Sequence, residues 1–409
     1  MSILTGIAAD LSNSCQQTAW AHEVLNCDQS PGFLFATPDY IVKGQHKLSD
    51  IQVPAQSKLN EWLSEAKAAL NQAVQAGHQH AVLMGGIPFA SSEDVNLMLL
   101  SDVQIYEKLL YPTQQKIQDL TLQNVSFIPE GLDYQTQVQF LVEQMQAGHL
   151  NKAVLARILE LEFQQNIDIS TLFQNLSRAN PEGYSYAVAN NPAQSGWFVG
   201  ASPELLVAKQ RRQVWSKPVA GTLARDIDPV QDQKNAQQLL NSAKDQHEHA
   251  VVIEMIADQL APFCSRLNVP KQPSLIRTQR LWHLATHIQG ELKSEDTHVL
   301  DLVERLHPTP AICGQPTQVA KDLILRLEPF NRELFAGTMG WADREGNGEW
   351  SVTVRCARIY QNIARLFAGA GIVAASEPHA EHAETAAKFR TVLDGFSLES
   401  ADIQHMQEQ

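Results

Sequence analysis

The stretch KDQHEHAVV, residues 244–252, sets two carboxylates and two imidazoles within five positions of one another. Asp245 and Glu248 are three apart, so on a helix both point from the same face. His247 and His249 are two apart and point in different directions, so the pair of histidines four apart that a zinc-binding helix requires is missing. Two carboxylates without a matching imidazole suit a hard cation, magnesium ahead of zinc. A solvated acidic first turn opposite the helix dipole produces the same pattern, and spacing alone does not separate the two. The pattern recurs in HAEHAE, residues 379–384, where Glu381 and Glu384 are again three apart near the start of a helix. Two such helices face to face would bring four carboxylates to one point, and their repulsion calls for a cation. Two unrelated solvated turns remain the other reading.

Three further stretches could do chemistry. In NKAVLARILELEF (151–163), Lys152 shares one face of an alternating strand with Val154, Ala156 and Ile158. Such a lysine either snorkels to the rim or is desolvated, which lowers its pKa and makes it a usable base. Glu204 follows Gly-Ala-Ser-Pro where the chain turns between two apolar strands. Buried there, it would keep a proton and act as an acid; at the surface it is a turn residue. GAGIV (369–373) closes a strand with glycines. Their backbone N–H groups suit a carboxylate or phosphate, although close strand packing explains them equally well.

The rest of the chain must position these groups. Its 409 residues allow a large core, and 44% are hydrophobic, as in ordinary globular proteins. No apolar run is long enough to cross a bilayer. The opening MSILTGIAADLSNS lacks the basic and apolar regions of a secretory signal, so cytoplasm is the expected location. Five scattered cysteines without C-x-x-C spacing argue against disulfides and structural zinc. The net charge of −14 argues against nucleic acid or an anionic membrane as partner. It does not exclude a small anionic substrate, because screening acts over about 8 Å and a local group of cations can dominate.

Periodicity predicts an amphipathic helix over 57–77 and a buried strand over 80–90, with 92–102 and 114–123 as loop or peripheral structure. From 134 a helix, the 151–163 strand, a helix over 168–181 and strands over 184–189 and 196–202 follow. A hairpin over 202–222 precedes the 244–261 helix. Strands over 349–360 and 364–376 and a helix over 379–396 complete the pattern. Strand groups on short turns with long helices between them predict an α+β fold with largely antiparallel sheets. We expect one compact unit: residues 1–125 as a divergent N-terminal part, 126–400 as the catalytic region and 401–409 as a tail.

KAVLAR (152–157), GASPELL (200–206), KPVAGT (217–222), KDQHEHAVV (244–252), LWHLAT (281–286), HPTPAICG (307–314), ELFAGTMGW (333–341), VTVRCARI (352–359), FAGAGIVAAS (367–376) and EHAETAAK (381–388) together resemble the chorismate-utilising enzymes. That family includes isochorismate synthase, salicylate synthase, anthranilate synthase component I and aminodeoxychorismate synthase component I. The resemblance implies two stacked, largely antiparallel sheets with helices packed outside and the active site in the cleft, as in anthranilate synthase component I. It implies magnesium between the two acidic helices, with Glu248 and Glu384 as direct ligands and Asp245 and Glu381 beside them. Asp245 departs from the glutamate of several relatives.

The resemblance also separates the members. Lys152 matches those that add water, and Ala220 stands where aminodeoxychorismate synthases carry a nucleophilic lysine. Ile312 replaces a threonine common in ammonia users and salicylate synthases, and Phe335 replaces a tyrosine of salicylate synthases. The implied reaction is chorismate to isochorismate, with Lys152 taking a proton from water at C2 and Glu204 protonating the leaving C4 hydroxyl. Arg355, the backbone of Gly369, Ala370 and Gly371, and Lys388 would hold the enolpyruvyl carboxylate. Gly221, Thr222, His283, Ala311, Ile312 and Phe335 would line the pocket. No glutamine amidotransferase subunit is expected. The product would supply a catechol siderophore; a menaquinone branch and a salicylate synthase are the alternatives. A non-catalytic sensor would need a damaged base, acid or metal site, and those residues are all present.

Overall fold

The computed structural model describes residues 32–44, 46–51, 59–90, 96–107, 117–189, 196–399 and 401–403. Among them, the alternating and apolar stretches assemble into two large sheets and one small one, and all strand pairs that build them are antiparallel. The ten-stranded sheet is organised around Lys152–Phe163, which pairs along ten residues with Ile363–Ile372. Next in that sheet come Cys356–Tyr360, Trp197–Ser202 and Tyr184–Ala189, then three strands from before residue 125. The nine-stranded sheet has Leu205–Gln210, Gly348–Val352 and Thr338–Asp343 at its centre. A separate three-stranded sheet contains Val219–Ala224, Leu281–Ala285 and Ser274–Arg277, an element that the two-sheet expectation did not include.

The two large sheets share one core. Tyr40, Ile158 and Phe198 from one meet Val214, Trp341 and Trp350 from the other. A second core lies under the Ile169–Ala179 and Pro378–Gly395 helices, with Leu159, Leu172, Leu176, Val199, Leu366 and Phe389. The ten-stranded sheet is therefore covered on both faces. For this reason Lys152–Phe163 is buried almost throughout instead of alternating inside and out. Asn96–Leu100, expected to be peripheral, is a fully buried strand of the nine-stranded sheet. Its NLMLL run is short and follows the polar residues 91–94, so composition hid it; positions 91–95 lie outside the described residues. No described helix is long and apolar enough to cross a membrane.

The 349–360 segment, expected as one strand, is two strands in different sheets. Gly348–Val352 belongs to the nine-stranded sheet and Cys356–Tyr360 to the ten-stranded one. The chain re-aims at Arg355, whose φ of 54° is a left-handed turn that few side chains adopt. A second crossing runs beside it, from Trp197–Ser202 to Leu205–Gln210 through Pro203 and Glu204. Pro203 has no N–H to give a ladder, so it suits a point where a strand leaves its sheet. The crossings bond each other: Ala201 N–H donates to Arg355 O at 3.0 Å and Val352 N–H to Glu204 O at 3.2 Å.

Candidate active site

Two helix starts and two strand crossings define the cleft. The Ala243–Leu260 helix is capped by Ser242, whose hydroxyl accepts from Asp245 N–H and also donates to the Asp245 carboxylate. The Pro378–Gly395 helix opens with proline in its first turn, where a missing N–H costs nothing. The two first turns meet: Lys244 Nζ of one donates to Glu381 Oε1 of the other at 2.8 Å. The acidic pairs read from the sequence therefore do face each other. His247 is exposed, and His249 is buried on a hydrogen bond of 2.8 Å to Thr286.

Lysines stand among these carboxylates. Lys152 Nζ contacts Glu248 Oε1 at 2.8 Å, and Lys388 Nζ contacts Glu384 Oε1 at 2.6 Å. In this arrangement no three acidic or imidazole groups among the described residues sit close enough to share one ion. Gly371 makes room for the buried pair, since a Cβ there would lie 2.3 Å from Glu248 Oε1 and 3.2 Å from Lys152 Cε. Gly221, at φ +83°, sits where the Val219–Ala224 strand slips register, and a Cβ there would come within 3.1 Å of Asp245 Cβ.

The electrostatics of this wall are uneven. Burial pushes the Glu248 carboxyl up, but Lys152, joined by Lys388 and Lys244, outweighs it and holds the group below the usual range. Glu381 is raised by burial and then by Glu384, and its Oε2 is sealed from solvent without a hydrogen-bond partner. Asp245 is also raised, mainly by burial. Lys244 loses some basicity to burial but gains more from Glu381, and ends above its ordinary value.

A second wall is drier. Glu204, 4% exposed, is pushed up to about 7 by burial, against smaller pulls from Val219 N–H, Lys152, Arg355 and Lys217. Its Oε1 has no hydrogen-bond partner. Arg355 is lowered to about 10 by burial and so remains a cation at neutral pH, favoured by Glu384 and Glu204. Among the described residues it closes no ion pair, so its charge is available to a ligand. His283 is held far below its ordinary value by burial, then by Arg355 and Lys388, and is neutral; its Nδ1 meets Thr222 Oγ1 at 3.0 Å. Beyond Phe367 the far edge of Ile363–Ile372 has no strand partner among the described residues. Lys388 Nζ reaches that segment at Gly369 O, 2.8 Å away.

One cavity collects most of the expected residues: Glu204, Gly221, Thr222, Glu248, His283, Ala311, Ile312, Phe335, Arg355, Gly369, Gly371, Glu384 and Lys388. Four do not line it. Lys152 is only 2% exposed, with its Nζ on Glu248. Asp245 and Glu381 lie beside the wall in contact with Ser242 and Lys244. Ala370 alternates to the face opposite Gly369 and Gly371 and is fully buried. The lining also includes Val154, Pro203, Val219, Ala220, Ala336 and Val354. Two-residue alternation from Lys152 would have found Val154. Ala336 and Val354 carry no sequence signal, because they come to the cleft only through the crossing at 353–355.

A model of the chorismate binding enzyme family matches residues 53–397, and the chain belongs to that family. Isochorismate synthase DhbC of Bacillus subtilis is 38% identical to it over 93% of this chain and 97% of the relative. Among solved structures, DhbC of Bacillus anthracis, assigned as a 2,3-dihydroxybenzoate-specific isochorismate synthase, is 38% identical with a TM-score of 0.86. That match covers 93% of this chain and all of the other. Anthranilate synthase component I of Streptococcus pneumoniae TIGR4 shares the fold, with a TM-score of 0.66 at 18% identity over 87% of this chain and 92% of that one.

Proposed function

We propose that this chain is an isochorismate synthase, converting chorismate reversibly to isochorismate by adding water at C2 and losing the C4 hydroxyl. The observation that carries the reading is the pair of unlike carboxyls. A carboxyl poised at about 7 and a carboxylate backed by a buried lysine line the same cleft. Glu204 would hold its proton for the leaving hydroxyl. Lys152, once its Nζ leaves Glu248 and releases a proton to solvent, would take the proton of the attacking water as the neutral amine. Acid and base on opposite sides let the ring double bonds shift without a charged intermediate, and each positioned proton transfer contributes ~10²–10⁴ in rate. Arg355, Lys388 and the unpaired strand edge at 369–371 would hold the enolpyruvyl carboxylate. Thr222, His283 and Ala311 would shape the pocket around the ring.

The acidic wall fits magnesium. Its donors are all carboxylate oxygens, and the buried, unpartnered Oε2 of Glu381 is an oxygen that a hard cation would satisfy. Glu248 and Glu384 would hold the ion, with Asp245 and Glu381 beside them. Bound there, magnesium would supply positive charge for the ring carboxylate of the substrate.

Ile312 and Phe335 are 2% and 3% exposed and present apolar surface to the cavity. Phe335 stacks on Phe367, with ring centroids 5.4 Å apart and planes 14° apart. With no hydroxyl at either place, the enolpyruvyl arm lacks a contact that favours its elimination, and isochorismate leaves intact. The similarity to a 2,3-dihydroxybenzoate-specific relative supports a catechol siderophore as destination. Product chromatography beside a pyruvate-coupled assay tests the reading. Chorismate and magnesium should give a mixture of chorismate and isochorismate with little pyruvate, and added ammonia should give no anthranilate. Pyruvate and fluorescent salicylate rising in step with chorismate loss would make it a salicylate synthase instead.

A further inference from the structure

Pro203 is a wall of two cavities. On one side is the cleft, with a volume of about 60 Å³ in this conformation; on the other is a more open cavity of about 410 Å³. Residues 179–183, which leave the Ile169–Ala179 helix, form one side of the larger cavity, and residues 276–279, the end of strand Ser274–Arg277 and the turn after it, form another. Lys217 and Arg225 close it.

The charge of this cavity runs against that of the chain, whose formal net charge is −14. Lys217, Arg225 and Arg277 all line it, and Glu182 is the one carboxylate among its lining residues. Arg225 is held by Asp232 at 2.9 Å. The other two cations are not neutralised in this way. Lys217 Nζ reaches the Glu182 backbone O at 3.4 Å and lies 5.5 Å from the Tyr184 ring centroid, and it closes no ion pair among the described residues. Arg277 is exposed and also closes none among them. Pro181, Pro203 and Ile276 add apolar surface beside the cations. The space is far larger than one water needs, so it suits a ring and not a bare ion.

We propose that this second cavity binds a carboxylated six-membered ring, its carboxylate between Lys217 and Arg277 and its ring against Pro181, Pro203 and Ile276. Because Pro203 precedes Glu204, an occupant sits one residue from the acid of the cleft. Two sources share this chemistry: the dianionic substrate on its way to the cleft, and an aromatic acid made downstream of the product. The first source rests on the isochorismate synthase reading; the site itself does not.

The test uses the full chain, benzoate as the probe for calorimetry, and chorismate for kinetics. Arg277→Glu reverses an exposed charge and should leave the fold and kcat unchanged. Lys217→Met is the second variant, and Arg355→Gln reports binding in the cleft instead. If benzoate binds the native protein, loses on the order of 5- to 20-fold affinity in Arg277→Glu and is little changed in Arg355→Gln, the site takes an aromatic acid. If instead kcat/KM for chorismate falls about fivefold in Arg277→Glu at constant kcat, and the fall shrinks with added salt, the site takes the substrate. Benzoate affinity and kcat/KM that are both indifferent to Arg277→Glu and Lys217→Met would overturn the proposal. A chain that turns over no chorismate would refute the catalytic reading while the calorimetry still decided the site.

Discussion

Glu248 and Glu204 line one cleft and are driven to opposite states. Both are removed from water, and removal from water alone pushes either carboxyl up. At Glu248 a lysine 2.8 Å away reverses that push. At Glu204 the nearby cations act without direct contact, burial wins, and the group rests at about 7. Glu248 is therefore set to keep its negative charge and Glu204 to keep a proton. Whether a buried carboxylate is a ligand or an acid is decided here by whether a cation touches it.

The largest effect should come from emptying the charged wall. Glu248→Ala, Glu384→Ala and an excess of chelator should each reduce turnover on the order of 10³-fold or more, read by product chromatography, with circular dichroism unchanged. The two variants should differ in stability. Glu248→Ala strands Lys152, whose side chain is 2% exposed, and breaking such a pair costs about 3–5 kcal/mol. Glu384, with a 26% exposed side chain, should cost less. Full turnover in excess chelator would remove the metal from the reading.

Glu204→Gln should cost ~10²–10⁴ in kcat, and the native kcat should fall as pH rises past about 7, where Glu204 gives up its proton. Its stability effect should have the opposite sign. A carboxyl raised from 4.5 to about 7 makes the folded state bind more protons than the unfolded one between those values. Folding stability is therefore lost as pH rises through that window, by up to about 3 kcal/mol. Glu204→Gln should be more stable than the native chain in urea melts at pH 8 and indistinguishable at pH 4.5. Equal melts at pH 8 would mean that Glu204 is not desolvated.

Gly371→Ala and Gly369→Ala make a narrower comparison on one strand. The first places a Cβ 2.3 Å from Glu248 Oε1 and should lower activity about 10- to 100-fold. The second meets Val154 Cγ1 at 3.2 Å and should be tolerated within a few-fold. Equal activity of the two would show that the Lys152–Glu248 geometry is not needed. The smallest effect is expected at the apolar end of the cleft. Ile312→Thr with Phe335→Tyr should keep the isomerisation and release a small pyruvate fraction above the native background.

Which residues could carry chemistry was more legible than which sheet each strand joins. Acidic spacing within a helix is local, so Asp245, Glu248, Glu381 and Glu384 could be read directly, as could Lys152 on its strand. Spacing could not reveal that Lys152, Lys388 and Lys244 each hold a carboxylate, because each lysine–carboxylate contact except Lys388–Glu384 joins distant segments. Sheet membership was equally hidden. VTVRC reads as an unbroken strand because its β-branched residues favour one, and at Arg355 a left-handed φ re-aims the chain to the other sheet. The buried NLMLL strand was missed for a related reason: its polar neighbours outweighed five apolar-rich positions in any local window.

The side-by-side crossings have a mechanical consequence. The Ala201–Arg355 and Val352–Glu204 bonds each carry one sheet's ladder up to the crossing, so the two large sheets are joined side by side by two neighbouring chain segments, 203–204 and 353–355. Two covalent connections at one place keep the sheets from separating there to admit a ligand. Entry must then be made by elements outside these connections, the helix starts at 243 and 378 and the three-stranded sheet. In hydrogen exchange the amides of Ala201 and Val352 should be among the slowest in the chain and should exchange only through global opening, while Thr222 and Lys244 exchange through local opening.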